Sequence, residues 1–278
     1  MSEESICFVG DVHGSASWFG YVLRQVSEFG VRRVIQLGDF GLWPGRDGQR
    51  YLDEIARLLS QYVAELIFID GNHDWHEERL RFRPENDGLV TLRPRLRYAP
   101  RGTVLDLDGL RVLAIGGAPS IDADQRVEGV NWWRDEILSS KDAERCLAAG
   151  VADVVVAHDC PAEVTLSGLE RWAPGEAHRA LMSVILASAR PRWWFGGHYH
   201  RRHSELVTHQ EGFRTRVEIL HCEQSTSSGM GWTVVEIEAL RRSGDDQVVV
   251  PPSGVGAKRI DASAMNPESS ARQKSKEV

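Results

Sequence analysis

Short apolar runs, mostly of branched residues, recur along the chain at 6–9, 34–37, 66–69, 112–115 and 154–157, with a further run of aromatics at 193–195. Runs of that length without polar alternation read as strands buried on both faces. Between some of them the period changes. Over 51–62, Leu52, Ile55, Leu58, Leu59 and Tyr62 return at helical spacing, and 18–29 reads the same way. Such alternation predicts an α/β fold with helices packed on a sheet. From Thr103 onward strands follow one another more directly: Asp108-Gly109 joins 104–107 to 110–115 as a hairpin, and 217–220 and 232–237 are further strand candidates. The expectation is a second, more antiparallel sheet packed face to face with the first, giving two mixed β-sheets flanked by helices. One domain should span residues 1–250. After Val250 the chain turns to Pro, Ser, Gly, Ala and Lys with few large apolar side chains, so 251–278 is expected to be a disordered tail.

The polar residues that follow those runs carry the chemistry. Gly10-Asp11-Val12-His13-Gly14 follows the first, Gly38-Asp39 the second, and Gly71-Asn72-His73-Asp74 the third. Later, 154–157 is followed by His158-Asp159, and 193–195 by Gly196-Gly197-His198-Tyr199-His200. Strands of open α/β sheets present their carboxyl ends to a common crevice, so residues far apart in sequence can converge there. Glycines beside them let the backbone turn sharply and approach closely. Carboxylate, imidazole and amide oxygen together suit Mn, Fe, Co, Ni or Zn, and the lack of thiolates in these motifs argues against a closed structural zinc site.

In identity and order the motifs D-x-H, G-D, G-N-H-D, a lone H and G-H-x-H resemble the calcineurin-like metallophosphoesterase family, over roughly residues 6–237. The resemblance implies one divalent ion on Asp11, His13, Asp39 and His200 and a second on Asp39, Asn72, His158 and His198, with Asp39 bridging. It also implies a sandwich of two mixed sheets and a phosphoesterase in which a hydroxide bridging the ions attacks phosphorus. Two such ions, the two aspartates and the hydroxide leave one positive charge to attract phosphate. His73, in the same implied scheme, protonates the leaving oxygen or stabilises the transition state, and Asp74 would orient its ring.

Departures from the family pattern narrow the reading. Gly38-Asp39 continues as Phe40-Gly41-Leu42-Trp43, without the further aspartate and the arginine of serine/threonine protein phosphatases. The segment 126–136 looks like a loop of bacterial and phage-type members, in which Arg126, Trp132 or Trp133 would border the pocket. The best reading is a phosphodiesterase for small or cyclic nucleotide-type substrates, with manganese as the first choice of ion. Alternatives are a phosphomonoesterase, a nuclease, or a non-catalytic scaffold on the same fold. A net charge of −7 over 278 residues argues against a nucleic-acid coat or a membrane-surface protein. Retention of His73 and every ligand position argues against the scaffold. Cys7, Cys146, Cys160 and Cys222 are irregularly spaced and read as reduced, buried thiols of a cytoplasmic protein. His76, His178, His203, His209 and His221 lack motif context and read as structural or surface histidines.

Overall fold

The computed structural model describes residues 5–167, 172–223 and 230–242. Along the first half run β1 (Ser5–Val9), α1 (Ala16–Glu28), β2 (Arg33–Leu37), α2 (Gly45–Gln61), β3 (Glu65–Ile69), the short α3 (His76–Arg79), β4 (Val90–Arg93) and β5 (Leu96–Tyr98). There follow β6 (Val104–Leu107), β7 (Leu110–Ile115), α4 (Ser140–Ala148), β8 (Val154–Ala157), α5 (Ala173–Ala189), β9 (Trp193–Gly196), β10 (His203–Thr208), β11 (Arg214–Ile219), β12 (Trp232–Glu236) and α6 (Ile237–Arg241). The expected tail, 251–278, lies outside the described residues.

The strands form two six-stranded sheets, ordered β12-β1-β2-β3-β5-β4 and β10-β11-β9-β8-β7-β6. The second is not the more antiparallel of the two. Each has three parallel pairings at its centre and one antiparallel pairing at each edge. Crossovers through α4 and α5 return β8 and β9 parallel to β7, as the βαβ rule requires, while the hairpins β6–β7 and β10–β11 are confined to the rims. Strands β4, β5 and β10 escape the apolar-run criterion because they are short or half-exposed and carry arginine, histidine or glutamate.

Alternation along each inner strand sends one set of side chains between the sheets and the other beneath the helices. Ile6, Phe8, Ile35 and Leu37 meet Val154, Val156, Trp193 and Phe195 in the inter-sheet core. The Phe8 and Phe195 rings stack there with centroids 3.8 Å apart. Truncating a ring so placed costs about 3–5 kcal/mol. Phe19, Val22, Leu23 and Val26 of α1, with Leu52, Ile55 and Leu59 of α2, cover the first sheet. Met182, Ile185 and Leu186 of α5 cover the second. The four layers bring the carboxyl ends of β1, β2, β3, β8 and β9 to one rim.

Candidate metal centre

At that rim the strand-end residues converge. Asp11 Oδ2 lies 3.2 Å from His200 Nε2. Asp39 Oδ2 lies 3.3 Å from His13 Nε2 and 3.4 Å from His158 Nε2. His158 Nε2 is also 3.0 Å from Asn72 Oδ1. Asp11, His13 and His200, then His13, Asp39 and His73, then Asp11, Asp39 and His158 form overlapping groups whose ligand atoms lie within 4.8 Å of one another. Asp39 thus sits where the two halves of the expected ligand set meet. His198 is outside these groups. Its ring centroid is 5.1 Å from that of His158, it lines the same cavity, and its amide N–H donates to Asp11 Oδ1 at 3.0 Å.

The backbone reaches this arrangement at a cost. His13, Asp39, His198 and His200 have φ of 44°, 53°, 71° and 47°, a left-handed region that costs a non-glycine residue about 1–3 kcal/mol and persists where its surroundings over-determine it. The glycines nearby have no alternative. A Cβ on Gly38 would lie 2.4 Å from His158 Nδ1, and one on Gly71 would lie 2.2 Å from Asp39 Oδ1.

Buried partners then aim the donor atoms. His158 Nδ1 donates to the Leu37 carbonyl at 2.7 Å, which leaves Nε2 with its lone pair towards Asp39 and Asn72. His13 Nδ1 donates to Glu223 Oε2 at 2.8 Å and turns Nε2 inward in the same way. Asn72 Nδ2 donates to Ser120 Oγ at 2.9 Å, so its oxygen faces the cluster. Ser120 is held in turn by Glu136, through its amide and its hydroxyl, both at 2.7 Å. Sequence reasoning missed Glu223 and Ser120, which do not directly follow an apolar run, and took Glu136 only as part of the segment 126–136. Such partners fix the tautomer and raise the basicity of a ligating imidazole.

Asp74 does not act as expected. Its carboxylate accepts from the amides of Phe40 (3.2 Å), Gly41, Leu42 and Gly71 (2.9 Å each) rather than from the ring of His73. It therefore ties the turn after β2 to the turn after β3. The ring of His73 instead meets Arg126, whose guanidinium nitrogens lie 3.0 Å from Nδ1 and 3.0 Å from Nε2. Asp122 Oδ2 holds that guanidinium at 2.8 Å. Arg126 lines the cavity, as expected, but Trp132 and Trp133 are not among its lining residues. Trp133 is buried against His76, ring centroids 6.2 Å apart. His76 and His178 are structural, bonded to the buried Asp70–Arg101 pair and to Asp159.

Electrostatics show what the donor set is suited to hold. Burial disfavours a charged His158, yet the charge and hydrogen bond of Asp39 push its pKa up to about 10. The same contest, again won by Asp39, raises His13 to about 9. A hydrogen bond to Asp11 raises His200 to about 10. Without cations, protons neutralise the carboxylates, and a divalent ion does the same with the donor types it prefers. Cys160 takes no part, since burial pushes its thiol up to about 12. The residues present therefore fit two divalent ions.

Comparisons with known proteins agree with this geometry. The family model of calcineurin-like phosphoesterases matches residues 5–202. Among solved structures, TT1561 of Thermus thermophilus is similar with a TM-score of 0.54 at 13% identity, covering 85% of this chain and 96% of the other. A second, also 13% identical, has a TM-score of 0.53 and covers 84% of this chain and 95% of the other. At that identity they speak for the fold alone. Among curated proteins no sequence matches. With the family model covering β1 to β9 and the strand-end motifs gathered at one rim, the chain belongs to the calcineurin-like phosphoesterases, hydrolases of phosphoric esters.

Proposed function

We propose that the chain is a dinuclear, manganese-dependent phosphodiesterase for a small nucleotide-type substrate. The observation that carries this reading is the placement of Asp39 Oδ2 within 3.4 Å of both His13 and His158, His13 grouped with Asp11 and His200 and His158 in contact with Asn72 Oδ1. Two divalent cations bound there would supply Lewis acidity, ionising water and offsetting charge on the phosphoryl group.

The chain's own residues do the rest. Glu223, Leu37 and Ser120 keep the donor atoms pointed inward. His73 is anchored by its amide, which donates to Asp39 Oδ1 at 2.7 Å, and its half-exposed ring faces the cavity, placed to hold an N–H at the leaving oxygen. Arg126 supplies a phosphoryl contact. A neutral imidazole has one donor and one acceptor nitrogen, whereas a guanidinium only donates. One of the two 3.0 Å contacts between them therefore sets donor against donor. A phosphate oxygen accepting from both groups relieves that conflict, and a single guanidinium suits the single charge of a diester.

The four cysteines are free and buried, which supports a reducing, cytoplasmic setting. The test is metal-stripped protein reloaded with Mn and assayed in parallel on a chromogenic phosphodiester and a chromogenic monoester, with His73→Ala as control. Diester turnover that collapses in the variant supports the assignment. Monoester preference overturns the diester assignment, and silence on both overturns the reading as a whole.

A further inference from the structure

The cavity over the cluster has a volume of about 680 Å³, which is that of a small-molecule site rather than of a phosphoryl group alone. Besides the metal-site residues and several charged groups, its lining includes Pro119, Ile121, Leu166, Trp172 and Gly175. None of these takes part in holding the metals.

Trp172 stands immediately before α5, and its six-membered ring lies across Gly175. A Cβ there would come within 2.8 Å of Cε3 and 3.3 Å of Cζ3. The first turn of the helix is thus cut away to seat the indole, and a larger residue at 175 would displace it. Trp193, Trp194 and Trp232 are almost wholly buried, whereas Trp172 is left half-exposed on the cavity wall. Other chain segments contribute Ile121, 67% exposed, and Leu166, which is buried.

The wall is also held rigid. Arg179, in the second turn of α5, lines the cavity and donates to the carbonyls of Pro161 at 2.9 Å and Val164 at 2.5 Å. The hydroxyl of Tyr199 donates to Asp159. Little ordering is left to do on binding. Because Glu176 and Arg179 border the wall, the polar edge of a heterocycle finds charged groups there, where an acyl chain would find a penalty.

We infer that this wall is a subsite for a planar aromatic group of the substrate, a nucleobase, stacked on Trp172 beside Ile121 and Leu166 while the phosphoester reaches the metal cluster. The inference rests on the phosphoesterase reading and names the organic part of its substrate.

Calorimetry on the Mn-loaded full chain tests it with three probes: adenosine 5′-monophosphate, ribose 5-phosphate and inorganic phosphate. Base stacking on an aromatic side chain predicts that the nucleotide binds about 10-fold or more tightly than the sugar phosphate. Trp172→Ala and Gly175→Val should each erase that gap, and Trp172→Phe should keep most of it, with inorganic phosphate affinity unchanged throughout. Equal binding of nucleotide and sugar phosphate to the unaltered protein, binding of neither, or a gap that survives Trp172→Ala overturns the subsite. Failure of the phosphoesterase reading looks different, with nucleotide preference intact and no ester turned over.

Discussion

Asp39 holds the centre of the site at the scale of single residues, with one carboxylate oxygen taken by the amide of His73 and the other shared by histidines of both sheets. What aims those histidines was not legible in the sequence. The expected ligands could be read because each directly follows an apolar run and a glycine or a short turn, a local signal. Glu223 could not, because it meets His13 only after the whole fold has closed. Its role gives a prediction: Glu223→Gln removes the negative partner of His13 Nδ1 and should weaken Mn binding about 10-fold or more by calorimetry; unchanged affinity would assign Glu223 to packing. Arg126 gives another. Arg126→Ala should raise KM for a diester about 10-fold or more while the number of bound ions stays the same, and Arg126→Lys should recover only part, lacking the planar fork. An equal fall in kcat with KM untouched would contradict a grip on bound substrate.

Among the elements, the loop between β7 and α4 matters most to the site, since it carries both Ser120 and Arg126. It is bolted to the first sheet by a buried ion pair that the sequence did not announce. Asp70, at the end of β3, accepts from Arg101 Nε at 2.9 Å and from Tyr98 at 2.7 Å. Arg101 also donates to the carbonyls of Glu136 and Ile137, at 2.9 and 2.7 Å. Burial works against the charged Asp70, yet Arg101, Arg79 and His76 hold its carboxyl well below the usual range. Arg101→Met leaves that charge buried without its main partner and should cost about 3–5 kcal/mol of stability in urea unfolding. It should also weaken substrate binding by loosening the loop. A variant as stable as the parent would show that the pair is dispensable. The central strands were readable because burial on both faces removes polar alternation. Strands β4, β5 and β10 were not, since Arg93, Arg97 and Glu205 interrupt any run. For the same reason the sheets' shared plan, parallel within and antiparallel at both edges, emerged only from the pairing.

For the whole molecule, the site is a seam. Asp11, His13, Asp39 and Asn72 follow strands of the first sheet, and His158, His198 and His200 follow strands of the second. Ions bound across the seam should stabilise the fold by mass action, by about 2.7 kcal/mol at one hundred times Kd. Without ions, His13, His158 and His200 bind protons more tightly in the folded state than in the unfolded one, with pKa values of about 9, 10 and 10. Their contribution is therefore complete below the ordinary imidazole range and is lost as pH rises through 9 to 10. The thermal midpoint of metal-free protein should fall between pH 7 and pH 10, and that of Mn-loaded protein should fall less. Parallel curves would mean that these histidines do not face the carboxylates in solution. The most direct test of the account as a whole is a Mn titration of metal-free protein that counts bound ions while phosphodiester turnover is followed in the same samples. The account predicts two ions per chain, turnover appearing only as the second binds, and both lost in Asp39→Asn; turnover that survives metal removal, or that Asp39→Asn leaves intact, would contradict it.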